Sequence, residues 1–197
     1  MTPYGFLLAL SLALPLPLAI PAGFALAPSQ APPANPIGTA VLGFKERVAE
    51  YVKVHNEAES KVPKLKETND PAKVQSRQVA LGETIKKLRP AAREGDVFGQ
   101  DFRTVLAREV RRDFLGRSAA DRKAVMQELP ANMKIAVNQT YPTDKPLATF
   151  PAQLLQKLPE LPPELEYRIV GHHIVLRDVT ANVVVDVARN IVPKLAS

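Results

Sequence analysis

Few residues in this chain could do chemistry. There are three histidines, His55, His172 and His173, and no cysteine. Thiol catalysis and thiolate metal sites are therefore excluded. His172 and His173 are adjacent, and neighbouring side chains on a strand point to opposite faces. A first-row metal needs converging imidazoles, so the pair reads first as a polar turn. It reads as a metal site only if the fold brings His55 to it. Asp96 and Asp101 could pair as carboxylates for acid–base work in a cleft. Their plainer reading is a loop acid and a helix-start acid favoured by the helix dipole. Ser118 has no Gly-x-Ser-x-Gly frame and is better explained as a helix cap. No Gly-x-x-x-x-Gly-Lys run is present to cradle phosphate.

The remaining chemistry is cationic. Arg103, Arg108, Arg111, Arg112, Arg117, Arg122 and Lys123 crowd one stretch. Arg108, Arg111 and Arg112 share a helix face and suit bidentate contact with carboxylate or phosphate. The alternative is an ordinary solvated helix face. The net charge of +6 suits anionic headgroups, wall polymers or acidic proteins, and it also suits plain solubility. Trp is absent and aromatics are 6% of the chain. That argues against stacking platforms for single-stranded nucleic acid.

All charge lies from Lys45 onward. The opening is instead a Leu-rich run, Phe6 to Ile20, followed by small residues. Gly23-Phe24-Ala25 and Ala25-Leu26-Ala27 both fit a cleavage site. A cut after Ala25 is preferred, because Pro28 follows the second site. Met1 to Gly5 lacks Lys and Arg, so residues 1–27 read as a signal peptide or as a retained N-terminal anchor. Pro15, Pro17 and Pro21 would kink a spanning helix. Residues 28–43, with Pro28, Pro32, Pro33 and Pro36, read as a linker. Residues 44–197 are the size of one domain and can bury a core without disulfides.

Helical period comes first in that domain. Thr39 to Ser60 places Val41, Phe44, Val48, Tyr51, Val52 and His55 on one stripe. Asp70-Pro71 is a cap followed by a first-turn proline. Val74, Gln78, Leu81, Ile85 and Leu88 then share a face, and Pro90 stops the run. Gln100 to Leu115 carries Phe102, Val105, Leu106, Val110 and Phe114, with Gly116 expected as a left-handed cap. Ser118 to Asp121 has capping-box spacing and opens a fourth helix. After Pro130 the pattern alternates: Met133, Ile135 and Val137 predict a strand. Pro142, Pro146 and Pro151 predict an extended connection with a short helix near 152–158.

Residues 165–178 predict a hairpin about Gly171-His172, whose Gly-X loop suits a type II′ turn. Folding there pairs Tyr167 with Leu176 and Ile169 with Ile174 on an apolar face. It sets Glu166 opposite Arg177 on the other. A slip of one residue breaks both agreements. Val183 to Val187 predicts one further strand. The expected fold is α+β: about four helices, then a small antiparallel sheet.

The domain is similar to a family of predicted exported bacterial proteins to which no activity is assigned. The likeness runs over roughly residues 45–193. It is carried by Asp70-Pro71-Ala72, Arg77-Gln78, Arg89-Pro90, Gly95-Asp96-Val97-Phe98, Tyr141-Pro142, Pro146-Leu147, Leu165-Glu-Tyr-Arg168, Leu176-Arg177-Asp178 and Ala181-Asn182. It implies export and one compact domain, and it transfers no catalytic residue. His172 and His173 fall outside the pattern. The terminal hairpin alone also resembles the ribbon that ends small periplasmic metal-homeostasis proteins.

The expected function is a non-catalytic exported module. It would bind an envelope component or protein partner, or an anionic surface, in a groove between helices and sheet. No cofactor and no nucleic acid enter that reading, and a membrane enters only through the N-terminal segment. A periplasmic hydrolase assembled only in three dimensions and a metal-homeostasis accessory protein are the alternatives.

Overall fold

A computed structural model describes residues 35–128, 134–142 and 150–194, with the backbone alone for 125–128. The leader 1–27, the start of the linker, Met133 and Pro146 lie outside the described residues.

Three long helices come first: α1 (Pro36–Lys61), α2 (Pro71–Leu88) and α3 (Gln100–Gly116). The short α4 (Ala119–Glu128) and α5 (Ala152–Leu155) follow. The chain ends in strands β1 (Leu165–Val170), β2 (His173–Asp178) and β3 (Val183–Ala188). These form one antiparallel sheet in the order β1-β2-β3. The fold is α+β, with the helices before the sheet.

The linker assignment requires correction, because α1 begins inside it. Asn35 accepts hydrogen bonds from the N–H groups of Ile37 and Gly38, at 3.1 and 3.3 Å. Pro36 occupies the first helical position, where its missing N–H costs nothing. Residues 36–43 are therefore helix. The same device starts α2: Asp70 accepts from the Ala72 N–H at 3.0 Å, ahead of Pro71. Ser118 caps α4 by accepting from the Asp121 N–H, and its hydroxyl donates back to the Asp121 carboxylate.

Two further expectations fail. Gly116 stays helical and takes no positive φ. Arg117 ends α3 in an extended conformation while its N–H bonds the Phe114 carbonyl. The expected strand at 133–138 is also absent among the described residues. Asn138 takes φ 64°, which turns the chain where a strand needs extension. Residues 134–142 instead lie along the outer edge of β3. Asn138 N–H donates to the Val184 carbonyl and Val184 N–H to the Gln139 carbonyl, both at 2.8 Å.

The hairpin forms in the expected register, with Tyr167 opposite Leu176 and Ile169 opposite Ile174. Arg177 bonds Glu166 across the ladder at 2.8 Å. Gly171 has φ 55° and His172 is not in the positive-φ region, as a type II′ turn requires.

The sheet is buried on both faces. Its inner face packs on α1, α2 and α3 through Phe44, Phe98, Phe102, Tyr167, Ile174 and Leu176. The rings of Phe44 and Phe102 stack at 4.1 Å. Each such side chain contributes about 1.5–3 kcal/mol by leaving water. Ile135 and Tyr141 cover the outer face over Val170, Val175, Val184 and Val187. Two-sided cover explains why β3 is a near-continuous valine run rather than an alternation.

The pairing of β2 with β3 shifts by one residue between Leu176 and Arg177. This β-bulge inserts Val185 as an unpaired residue. Downstream of it the inward and outward positions exchange. Asp186 consequently faces the helices instead of the outer layer.

Candidate functional site

Two buried aspartates organise the polar interior. Asp178, at the end of β2, is fully buried. Its Oδ2 accepts from the Tyr51 hydroxyl at 2.8 Å and contacts His55 Nδ1 at 2.6 Å. Its Oδ1 accepts from the Ala181 N–H at 2.7 Å. The helical spacing of Tyr51 and His55 puts both on the inner stripe of α1. Burial pushes the His55 imidazole down, but the hydrogen bond and charge of Asp178, aided by Glu59 and Glu164, more than offset it. Its pKa lies above the ordinary 6.5. Burial first, then the Asp178 charge, raises the Tyr51 hydroxyl and keeps it protonated.

Asp186 is the second hub. Its carboxylate accepts from the N–H groups of Gly95, Val97 and Phe98 at 2.7, 2.9 and 2.7 Å. Burial raises its pKa, and those donors together with Val187 N–H pull it back. Arg47 serves the same loop from the other side, donating to the Val97 and Phe98 carbonyls at 2.8 and 3.0 Å. The loop's inward donors and acceptors thus meet one acid and one base. Gly99 takes φ 66°, and a Cβ there would lie 2.4 Å from the Arg47 guanidinium. That conformation favours glycine, and a larger residue would have to displace the Arg47 guanidinium.

The third piece is Arg177. It donates to Asn182 Oδ1 through Nε and Nη2, at 3.0 and 2.7 Å. Its guanidinium carbon lies 4.9 Å from the Tyr141 ring centroid. Asn182, at φ 52°, donates in turn to the Tyr141 carbonyl. Arg89 lies over the Tyr51 ring and donates to the Val185 carbonyl.

A histidine bonded to a buried aspartate through Nδ1 has the geometry of a general base and its orienting acid. Here His55 is 3% exposed and Asp178 not at all. The Tyr51 hydroxyl shares the same carboxylate oxygen, and among the described residues no serine or threonine bonds His55. The arrangement ties α1 to the sheet and does not present a reactive atom to solvent.

The sequence-derived candidates fall elsewhere. Asp96 accepts from the Arg93 N–H at 2.7 Å and lines a recess of about 180 Å³ with Arg47, Glu50 and Tyr51. Asp101 is exposed in the first turn of α3 and does not line that recess. His172 Nδ1 donates to the Val192 carbonyl at 3.1 Å, and His173 Nδ1 accepts from the Asn190 N–H at 3.1 Å. Both rings fasten the C-terminal segment to the hairpin. Burial, then the positive charges of Arg189 and His172, push the His173 imidazole down. Among the described residues no group of three or more His, Asp or Glu is placed to hold a metal ion. Arg108 and Arg112 each pair with Glu109, at 3.1 Å, while Arg111 is exposed beside them.

Grooves are the other feature that could bind. The larger, about 530 Å³, lies between β1 and the segment 150–161. Phe150, Leu158, Leu161 and Tyr167 make its apolar wall, and Leu155 stands exposed at its lip. Its β1 side is an outer sheet edge. The Val179 N–H bonds the Glu164 carbonyl, which fixes the ladder phase. Glu166, Arg168 and Val170 turn their backbone groups to β2. Leu165, Tyr167 and Ile169 turn theirs outward. Leu165 N–H is taken by the Pro162 carbonyl, and among the described residues the outward backbone groups of Tyr167 and Ile169 bond nothing. Sequence reasoning missed this edge, since no single residue type marks it.

No described helix is long and apolar enough to cross a membrane. Compared with family models, curated proteins and solved structures, the chain matches none.

Proposed function

We propose that this chain is a non-catalytic, exported binding module of the bacterial envelope, and that it takes an extended segment of a protein partner along β1. The observation carrying the reading is the 530 Å³ apolar groove beside a sheet edge whose Tyr167 and Ile169 backbone groups face outward. Backbone pairing on such an edge supplies affinity, and side-chain pockets beside it supply specificity. The charge-free, leucine-rich opening and the resemblance to exported proteins support the address. The burial of His55 and Asp178 favours binding over hydrolysis.

The test uses the full chain in the producing cell, with a photo-crosslinking amino acid at Leu155 in one strain and at Leu42 in another. Both residues are exposed, and only Leu155 lines the groove. The expected result is a discrete envelope-protein adduct from Leu155 that Leu42 does not give. Identical adducts from both sites, no adduct from Leu155, or a full-length protein confined to the cytosol each overturn the proposal.

A further inference from the structure

A second groove is chemically unlike the first. It lies where the chain leaves α1 and enters α2, and its volume is about 400 Å³. That is within the range of small-ligand sites. Its floor is apolar: Pro63, Leu65, Ala72 and Ala80. Its polar lining consists of Lys64, Lys73, Ser76 and Arg77, with no carboxylate among the lining residues.

Nearby acids offset the cations in part. Glu59 bonds Arg77 Nη2 at 2.8 Å. Asp70 lies 3.8 Å from Lys73 Nζ, too far for a strong hydrogen bond, and its other oxygen caps α2. Arg77 Nε is buried and has no hydrogen-bond partner among the described residues. Lys64 is exposed and forms no ion pair among the described residues. The groove therefore couples a surplus of cationic donors with an apolar trough. Leu65, 41% exposed, is held open to water at its edge.

That combination selects against both simple alternatives. A small hydrophilic anion leaves the apolar floor wet. A neutral hydrocarbon leaves the cations without a counter-charge. A single molecule with an anionic head and a hydrocarbon tail satisfies both. We infer that the groove between the α1 exit and α2 binds a free carboxylate amphiphile, its head at Lys64 and Lys73 and its tail along Leu65 and Ala80. This site is separate from the β1 groove and does not depend on the function proposed for it.

The probe is sodium decanoate in monomeric solution, titrated calorimetrically into the protein. Decanol and butyrate serve as controls. Lys64 and Lys73 are exposed, so Lys64→Ala with Lys73→Ala leaves the fold intact, checked by circular dichroism. The expected result is one saturable site for decanoate, with decanol and butyrate at least about tenfold weaker. The double variant weakens decanoate about tenfold and leaves decanol unchanged. Backbone amide shifts fall on residues 64–65 and 72–80. The inference is overturned by any of four results: no saturable heat up to about 1 mM, equal binding of decanoate and decanol, an unaffected double variant, or shifts confined to β1.

Discussion

At the scale of single residues, the bonds around Asp178 make stability depend on pH in a defined direction. Folding raises the His55 pKa above 6.5, so the folded state favours the imidazolium. That contribution is complete below the unfolded value of about 6.5. It is lost as pH rises through the higher folded value. His173, shifted down, gives the opposite slope, losing stability as pH falls below 6.5. The window that reports His55 therefore lies above 6.5. Urea midpoints should fall with rising pH there, and His55→Gln should flatten the fall. A wild-type midpoint that stays level or climbs in that window contradicts the assignment. Tyr51→Phe removes one donor to a buried carboxylate and should cost about 1–3 kcal/mol in the same assay. His55 and Tyr51 were legible in the sequence as members of one helical stripe. Their shared partner was not, because Asp178 lies more than a hundred positions away and helical period carries no tertiary address.

At the scale of elements, the bulge in β3 decides what the sheet presents to the helices. Without the bulge, Val185 would pair in regular alternation and Asp186 would face Ile135 and Tyr141. With it, Asp186 gathers the N–H groups of Gly95, Val97 and Phe98. Asp186→Ala leaves buried donors without an acceptor and should cost about 3 kcal/mol or more in urea unfolding. Asp186→Asn sets amide hydrogens against some of those donors and should also destabilise, though less. Deleting Val185 leaves Val184 and Asp186 consecutive opposite Arg177 and Leu176, so Asp186 should stay inward and the deletion should cost less than Asp186→Ala. A Val185 deletion as costly as Asp186→Ala contradicts that register. The hairpin register was readable because Glu166, Arg177, Tyr167 and Leu176 agree on one phase. The bulge was not, because consecutive valines carry no phase at all. The helix start at Pro36 was hidden for another reason. The proline-rich composition suggested a linker, although Asn35-Pro36 is the same signal as Asp70-Pro71.

At the scale of the whole molecule, a set of polar residues and one loop bind one element to another. Arg89, the Gly95–Phe98 loop, Tyr141, Arg177, Asp178 and Asn182 all lie in the polar framework between helices, sheet and outer layer. That framework is occupied with holding the fold, so binding is sought in surface charge and grooves. The α3 arginines give a quantitative test. Glu109 bonds both Arg108 and Arg112, so the patch attracts anions less than its three arginines imply. Near an anionic bilayer each basic residue contributes about 1 kcal/mol. If this face meets such a surface, replacing Arg108, Arg111 and Arg112 with Ala should lower partitioning onto phosphatidylserine vesicles by about a hundredfold. Glu109→Gln should raise it severalfold, because it frees two guanidinium groups at once. Both differences should vanish near 1 M salt, where the screening length is about 3 Å. The opposite responses of two substitutions on one helix face separate a real electrostatic surface from loss of folding, which would move both the same way. Sedimentation with vesicles of graded phosphatidylserine content reads the outcome, and equal partitioning of all three proteins rules the arginine face out as a membrane contact.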